Sequence, residues 1–282
     1  MKQPHIKKPD WLKVKLGGNE RFTQTKKIVE SHCLHTICSS GRCPNMGECW
    51  ELGTATFMIA GDICTRSCKF CNTKTGRPLP LNPDEPQNVA ESVKLMGLNH
   101  AVVTSVDRDD LPDLGAQHWA DTINKIKEVN PHTTIEVLIP DFQGKEELID
   151  IICKASPDVI AHNMETVRRL TPEVRSAARY DVSLQTLCRI AKNGCKAKSG
   201  IMLGLGETLD EVYELMDDLL AVDCKILTIG QYLQPSRKHL AVSAYIEPKA
   251  FDVLKQIALH KGFNHVESGP LVRSSYHAEK CL

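Results

Sequence analysis

TATFMIAGDICTRSCKFC, residues 54–71, joins a short β-rich apolar run, Thr54 to Ala60, through Gly61 and Asp62 to three closely spaced cysteines, Cys64, Cys68 and Cys71. Seven residues rich in threonine and bulky apolar side chains, bounded by glycines, read as a strand. The x3-x2 spacing after it is not that of structural zinc, which pairs its ligands as two knuckles and closes the shell with four donors. Three thiolates on one short loop suit one face of a four-iron cube and leave the fourth iron open to another ligand. A strand that ends in a ligand-bearing loop is the repeating unit of α/β folds, whose sites lie at the carboxyl ends of the strands.

The same unit recurs toward the C terminus. Further strand-like runs lie at His100 to Val106, Thr133 to Ile139, Asp158 to His162, Lys198 to Gly204 and Lys225 to Gln231. Helical patterns stand between them at Asn88 to Met96, Ala116 to Val129, Lys145 to Ala155, Ser183 to Lys192 and Leu209 to Ala221. Six such alternations predict a parallel sheet with covered faces, closed either as an open doubly wound sheet or as a partial six-strand barrel. Polar and glycine-rich segments follow the strands at 62–71, 107–110, 163–165, 204–208 and 231–236, so all are expected at one mouth.

Residues 1–53 depart from this alternation. They hold a second triplet, Cys38-x4-Cys43-x5-Cys49, and a helix over Glu20 to Glu30 with Asn19 as its cap. The tail 262–282 is read as irregular and ends in GPLVRSSYHAEKCL. Neither segment has enough apolar residues for its own core, so both are expected as lids on a central domain spanning 54–261.

At 282 residues, 41% of them hydrophobic, the chain can bury a substantial core. Its 35 basic and 35 acidic residues balance, which removes the global charge argument for nucleic acid or an anionic membrane. Twelve cysteines without an apolar signal segment point to a reducing compartment, where thiols stay available for metals. No apolar run approaches the roughly 20 residues that cross a bilayer. A cytoplasmic monomer is the expectation.

The loop Cys64-Thr-Arg-Ser-Cys68-Lys-Phe70-Cys71 resembles that of the radical S-adenosylmethionine superfamily. Seven segments in order, CSSGRCPNMGECW, GDICTRSCKFCNTKTGRP, TSVDRDDLPD, HNMET, KSGIMLGLGET, GQYLQPS and VRSSYHAE, resemble the lipoyl synthase family along nearly the whole chain. The resemblance implies a partial (β/α)6 TIM-type barrel, two 4Fe-4S clusters and S-adenosylmethionine. It implies that the Cys64, Cys68 and Cys71 cluster, with Phe70 beside it, binds S-adenosylmethionine and splits it to a 5′-deoxyadenosyl radical. That radical removes hydrogen from unactivated carbon, which no protein acid or base can deprotonate at neutral pH. The substrate would be an octanoyl chain in amide linkage to a lysine of a lipoyl carrier domain. Sulfur would enter at C6 and C8 from the cluster of Cys38, Cys43 and Cys49, which is dismantled in each turnover.

The same resemblance assigns the fourth ligand of that auxiliary cluster to Ser275 of Arg273-Ser274-Ser275-Tyr276, whereas spacing alone also offers Cys33. It places Asn163 and Glu165 on the ribose of S-adenosylmethionine. Lys198 and Ser199 at the fifth strand, and Gln231 and Tyr232 at the sixth, are further candidates for cofactor or substrate contact. Implied partners are octanoylated carriers (E2 subunits of 2-oxoacid dehydrogenases and the glycine cleavage H protein), an electron donor such as flavodoxin or ferredoxin, and an iron–sulfur cluster carrier. The alternatives are another two-cluster sulfur-inserting radical enzyme and a non-catalytic iron–sulfur electron-transfer or carrier protein.

Other motifs have plainer readings. GLGET, 204–208, lacks the lysine of a phosphate loop and is read as a strand-to-helix turn with Thr208 or Glu207 at the helix start. DRDD, 107–110, is read as a polar loop in which Arg108 neutralises the acids. Two positions depart from the family. Leu114 stands where glycine is usual and should force a different turn, because leucine resists positive φ; Arg168 stands where proline is common. Cys153, Cys188, Cys195 and Cys224 are expected in the core, Cys281 at the surface, and His277 at the surface or beside the auxiliary cluster.

Overall fold

The β-branched runs separated by amphipathic stretches fold as the period of their side chains dictates: strands buried on both faces, each followed by a helix with one apolar stripe. The computed structural model describes residues 7–14, 17–32 and 34–281. Cys33 lies outside the described residues. The chain divides into two compact units, one of Val14–Arg66 and Thr73–Ile160, the other of Ser67–Asn72 and Ala161–Cys281 with the described residues before Val14.

The first unit opens with α1 (Glu20–Ser31), where Asn19 accepts a hydrogen bond from the Phe22 amide and so caps the helix. Then come β1 (His35–Thr36), α2 (Ile37–Ser40), α3 (Met46–Glu51), β2 (Thr56–Ile59), β3 (Ile63–Cys64) and β4 (Lys74–Thr75). They are followed by α4 (Glu85–Met96), β5 (His100–Ser105), α5 (Ala116–Val129), β6 (Thr134–Leu138) and α6 (Glu146–Ala155). β2 pairs parallel to β5 and β5 to β6, while β1 runs antiparallel to β2. Phe57, Ile59, Val103, Ile135 and Val137 are fully buried, as are Val93 of α4 and Ile123 and Ile126 of α5. Continuous apolar strands are what a parallel sheet with helices on its faces requires.

β7 (Val159–Ala161) leads into the second unit, which contains α7 (Thr171–Val174), α8 (Tyr180–Lys192), β8 (Ala197–Leu203) and α9 (Leu209–Ala221). It closes with β9 (Ile226–Gln231), α10 (Pro248–Lys261) and β10 (His265–Ser268). β8, β9 and β10 pair in parallel. The fold is thus α/β, with a mostly parallel sheet and helices between its strands.

Several expectations need correction. His265–Ser268, read as part of an irregular tail, is a strand in register with Ile226–Ile229; four residues of mixed polarity carry too weak an alternation to stand out. Leu114 does not force a different turn: it takes φ 53° itself, followed by Gly115 at φ 86°. The strain, about 1 kcal/mol, is offset by burial of its side chain and by Asp113, whose carboxylate accepts from the Gly115 and Gln117 amides at 3.1 and 3.0 Å. Cys153 and Cys224 are buried as expected, but Cys188 and Cys195 are half-exposed. Among the described residues, no helix is long and apolar enough to cross a membrane.

Gly230, next to the last residue of β9, shows why the tail runs where it does. A Cβ there would stand 2.2 Å from the carbonyl oxygen of Val272, inside any possible contact. Gly230→Ala is expected to push the segment around Val272 off β9, destabilising the fold by about 1–3 kcal/mol and opening Arg273 to tryptic cleavage. Thermal melts and limited proteolysis measure both.

Candidate functional site

The cysteine loop begins where β3 ends. Cys64 sits at that end, its carbonyl accepting from the Gly76 amide at 3.0 Å as β4 returns alongside β3. The Cys64 sulfur receives backbone N–H donors from Arg66 at 3.4 Å and Asp107 at 3.3 Å. Amides aimed at a sulfur suit a thiolate that carries charge.

Arg66 fixes the start of the loop. Its guanidinium, 6% exposed, donates to both carboxylate oxygens of Asp109 at 2.7 and 2.9 Å, donates to Asp141 at 2.8 Å and lies 3.3 Å from Asp107. Asp109 also accepts from Thr65 and Gln143, and burial pushes the Asp107 carboxyl up while Arg66 pulls it back. Arg66, not Arg108, therefore neutralises most of the acids of the 107–110 loop; Arg108 pairs with Asp110 alone, at 2.9 Å through two nitrogens. Nothing in the spacing of the cysteines marked Arg66, because its three partners are 41 to 75 residues away in sequence.

Upstream, the chain leaves β2 through two consecutive left-handed residues, Ala60 at φ 66° and Gly61 at φ 96°. For alanine this costs about 1–2 kcal/mol. Its amide donates to Glu85 Oε2 at 2.7 Å, its carbonyl accepts from Arg108 Nη1 at 3.2 Å, and Glu85 Oε2 also accepts from His118 Nε2 at 2.6 Å.

Residues 67–72 belong to the other unit. Ser67 N–H donates to Ser176 Oγ at 3.0 Å, the same hydroxyl lies 3.8 Å from the Cys68 sulfur, and Lys69 N–H donates to Val174 O at 2.9 Å. His239 donates from Nε2 to the Cys71 carbonyl at 3.0 Å, with Ser236 on its Nδ1 at 2.9 Å. Phe70 is half-exposed within this loop.

After β7, Asn163 Nδ2 donates to Glu165 Oε1 at 3.1 Å and to Ser274 Oγ at 2.6 Å. Gly200 makes the room: a Cβ there would meet Asn163 Oδ1 at 2.9 Å and Thr228 Oγ1 at 2.5 Å. Glu165 takes φ 65° while its backbone bridges to β8, and burial pushes its carboxyl up against the pull of Arg175 and Arg273. Asn163 Oδ1 is buried without a hydrogen-bond partner. A buried orphan acceptor carries a desolvation cost that a ligand hydroxyl would remove, so the residues fit a sugar-bearing cofactor.

The weaker candidates turn inward. Gln231 is fully buried, its Nε2 donating to the carbonyls of Leu203, Tyr232 and Ala244 and its Oε1 accepting from the Ile246 amide. Tyr232 donates to Leu240 O at 2.7 Å. Ser199 accepts from the Met164 amide, and Lys198 is 1% exposed. Lys198 and Ser199 stand at the start of β8, Gln231 and Tyr232 at the end of β9, and all four are buried. In the GLGET turn, Glu207 accepts from the Gly204 and Leu205 amides, and Thr208 forms a capping box with Glu211.

The first cysteine triplet is built on two short helices. Thr36 caps α2, which carries Cys38; α3 carries Cys49, and Cys43 lies between them with its amide on the Cys38 carbonyl at 2.9 Å. Trp50 anchors this hairpin against Phe22 of α1, ring centroids 5.3 Å apart. Burial pushes the Cys49 thiol up to about 12, and its neighbours Cys38 and Cys43 add to that. A buried thiol whose ionisation two neighbouring thiols oppose belongs to a donor set whose charge a thiophilic metal cluster would relieve. Among the described residues no three His, Cys, Asp or Glu side chains converge on a single metal ion; a cube takes each thiolate at a different corner. In the tail, Tyr276 N–H donates to Arg273 O at 2.9 Å, and Ser275, half-exposed on this turn, has no hydrogen-bond partner among the described residues. His277 is half-exposed, its ring 4.1 Å from that of Tyr276 and its Nδ1 3.3 Å from Glu279.

The profile of the Radical SAM superfamily matches residues 58–219. A lipoyl synthase of Bacteroides fragilis is 72% identical over 275 residues, covering 98% of this chain and 96% of its own. One from Treponema denticola is 60% identical over 274 residues, covering 97% and 94%. Among solved structures, methylornithine synthase (PylB) aligns with a TM-score of 0.57 at 14% identity, over 92% of this chain and 85% of its own. Streptococcus suis SuiB bound to S-adenosylmethionine aligns at 0.60 and 10% identity, over 79% and 53%. These structural likenesses establish the fold.

Arg66→Met should leave three carboxylates without their cation and lower stability by about 3–5 kcal/mol, read from urea unfolding of the metal-free chain. Arg66→Lys, one point charge in place of a fork, should fall between the two.

Proposed function

The chain belongs to the lipoyl synthase family of the radical SAM superfamily, and we propose on that footing how its residues divide the work. It is a sulfur-inserting enzyme that uses S-adenosylmethionine and two 4Fe-4S clusters and acts on lipoyl carrier proteins. When bound, these groups supply an electron, a 5′-deoxyadenosyl radical and sulfur for C6 and C8 of an octanoyl chain.

Cys64, Cys68 and Cys71 hold the cluster that meets S-adenosylmethionine, with Phe70 alongside it. Asn163 and Glu165 take the ribose hydroxyls. Gln231, Tyr232, Lys198 and Ser199 stiffen the floor beneath them. Cys38, Cys43 and Cys49, from the extension 1–53, hold the auxiliary cluster, and Ser275, from the tail 262–282, is its fourth ligand. An alkoxide is harder and more easily protonated than a thiolate, so Ser275 Oγ would be the most readily released of the protein groups that hold the cluster. The hydrogen bond from Asn163 to Ser274 supports this division, because it ties the tail beside Ser275 to the strand end that takes the nucleotide. The domain 54–261 between the two extensions supplies positioning and excludes water.

We assign the carriers to E2 subunits of 2-oxoacid dehydrogenases and the glycine cleavage H protein, reduction to flavodoxin or ferredoxin, and repair to an iron–sulfur carrier. The protein works in the cytoplasm as a monomer, since a carrier domain must reach the site. The observation that carries the whole reading is identity of 72% over 98% of the chain.

Anaerobic protein with both clusters, mixed with S-adenosylmethionine, a strong reductant and an octanoyl-lysine peptide, is expected to release 5′-deoxyadenosine and add two sulfurs to the peptide, followed by mass spectrometry. Deoxyadenosine with unchanged peptide would point to another substrate; none at all, from intact clusters, would favour an electron-transfer protein. Ser275→Cys should keep both clusters and deoxyadenosine formation yet lose at least about tenfold in sulfur insertion, a barrier increase of about 1.4 kcal/mol. Undiminished product from that variant would defeat the labile-ligand role.

A further inference from the structure

Ala60 and Cys64 are the two ends of a five-residue segment, and both ends are held by the same loop. Arg108 Nη1 reaches the Ala60 carbonyl, and the amide of the preceding residue, Asp107, donates to the Cys64 sulfur. The Ala60 end has a second anchor. Glu85 Oε2 accepts from the Ala60 amide at 2.7 Å, and His118 Nε2–H, donating to the same oxygen at 2.6 Å, fixes that carboxylate. Glu85 and His118 are buried, in the first turns of α4 and α5, and Arg108 is buried too. Ala60, also buried, sits at φ 66°, a conformation that an alanine keeps only when its surroundings over-determine it. With both peptide groups of Ala60 bound to ionic side chains, the chain enters the cysteine loop in one direction only.

We propose that Glu85 is a positioning residue for the Cys64 ligand: by gripping the Ala60 amide it holds the left-handed turn that aims Ile63 and Cys64 at the cluster. His118 keeps the Glu85 carboxylate in place, and Arg108 closes the turn from the carbonyl side. The proposal rests on the reading of Cys64 as a cluster ligand. Glu85 touches neither cluster nor cofactor in this scheme; it acts through one backbone amide.

Glycine adopts positive φ without strain, so the residue it supports supplies the test. Glu85→Leu, Glu85→Gln, Ala60→Val and the double variant Ala60→Gly/Glu85→Leu are reconstituted anaerobically, and iron content and the electron paramagnetic resonance change on adding S-adenosylmethionine are recorded. Glu85→Leu should lose about half of its iron, since one of two four-iron clusters is affected, together with the S-adenosylmethionine-induced change. Glu85→Gln, which keeps an acceptor oxygen, should retain both. The double variant should regain most of the iron and the spectral change. Ala60→Val, which burdens the turn with Glu85 intact, should repeat the selective loss, and it decides the matter if Glu85→Leu does not fold. Full iron and an unchanged spectrum in Glu85→Leu, equal loss from both clusters, or no recovery in the double variant would overturn the proposal. Failure of the underlying reading looks different: Cys64→Ala would then keep wild-type iron.

Discussion

Arg66 stands inside the cysteine loop with its guanidinium buried among Asp107, Asp109 and Asp141. A planar cation with fixed donor directions can satisfy three carboxylates only in one placement, so the position of Arg66 and of the Cys64 end of the loop follows from that of the acids. Those acids follow the ends of β5 and β6, whose register brings apolar residues together on one face, Ala101 with Ile135 and Val103 with Val137. The order of causes therefore runs from sheet to acids to arginine to sulfur. Stability and ligand placement share the same residues here, which is a reason for a buried ion network to sit beside a site even though such networks add little net stability by themselves.

In the other unit, missing side chains do comparable work. Gly200, Gly204 and Gly230 lie in or just after β8 and β9, and a Cβ at any of them would run into a polar neighbour. The space they leave admits the Asn163 amide, the Gln231 amide and the Val272 carbonyl in turn. Gln231 then ties together three backbone carbonyls and one amide from three segments. A floor with every donor and acceptor engaged is rigid, and rigidity beneath a site holds reacting groups to the narrow geometry that radical chemistry needs.

Much of this was legible in the sequence, because the signals were local. Apolar periodicity located α5 and α9 at their observed limits, Ala116–Val129 and Leu209–Ala221, and the Asn19 cap marked the start of α1. Thiol spacing set both triplets apart as candidates, since cysteines that share one loop are close in sequence. What escaped were the contacts made across the fold: Arg66 with Asp141, Glu85 with Ala60, Asn163 with Ser274. Each joins residues 25 to 111 positions apart, and no local pattern encodes them. Leu114 escaped for another reason. Propensity weighs only the residue's own backbone preference, and here side-chain burial and the Asp113 cap outweighed it.

The Asn163 amide has a directional consequence. Its two hydrogens are committed to Glu165 and Ser274, which leaves Oδ1 as the sole group it can present to an arriving molecule. An acceptor with no donor beside it welcomes a free hydroxyl and repels an ether or a carbonyl, whose lone pairs would face its own. A ligand that met this oxygen would be sorted by its hydrogen-bond polarity. A nucleoside stripped of the contacting hydroxyl, or methylated on it, would leave a buried oxygen unpaired, and discrimination of that kind against a missing partner is far steeper than any hydrophobic pocket achieves.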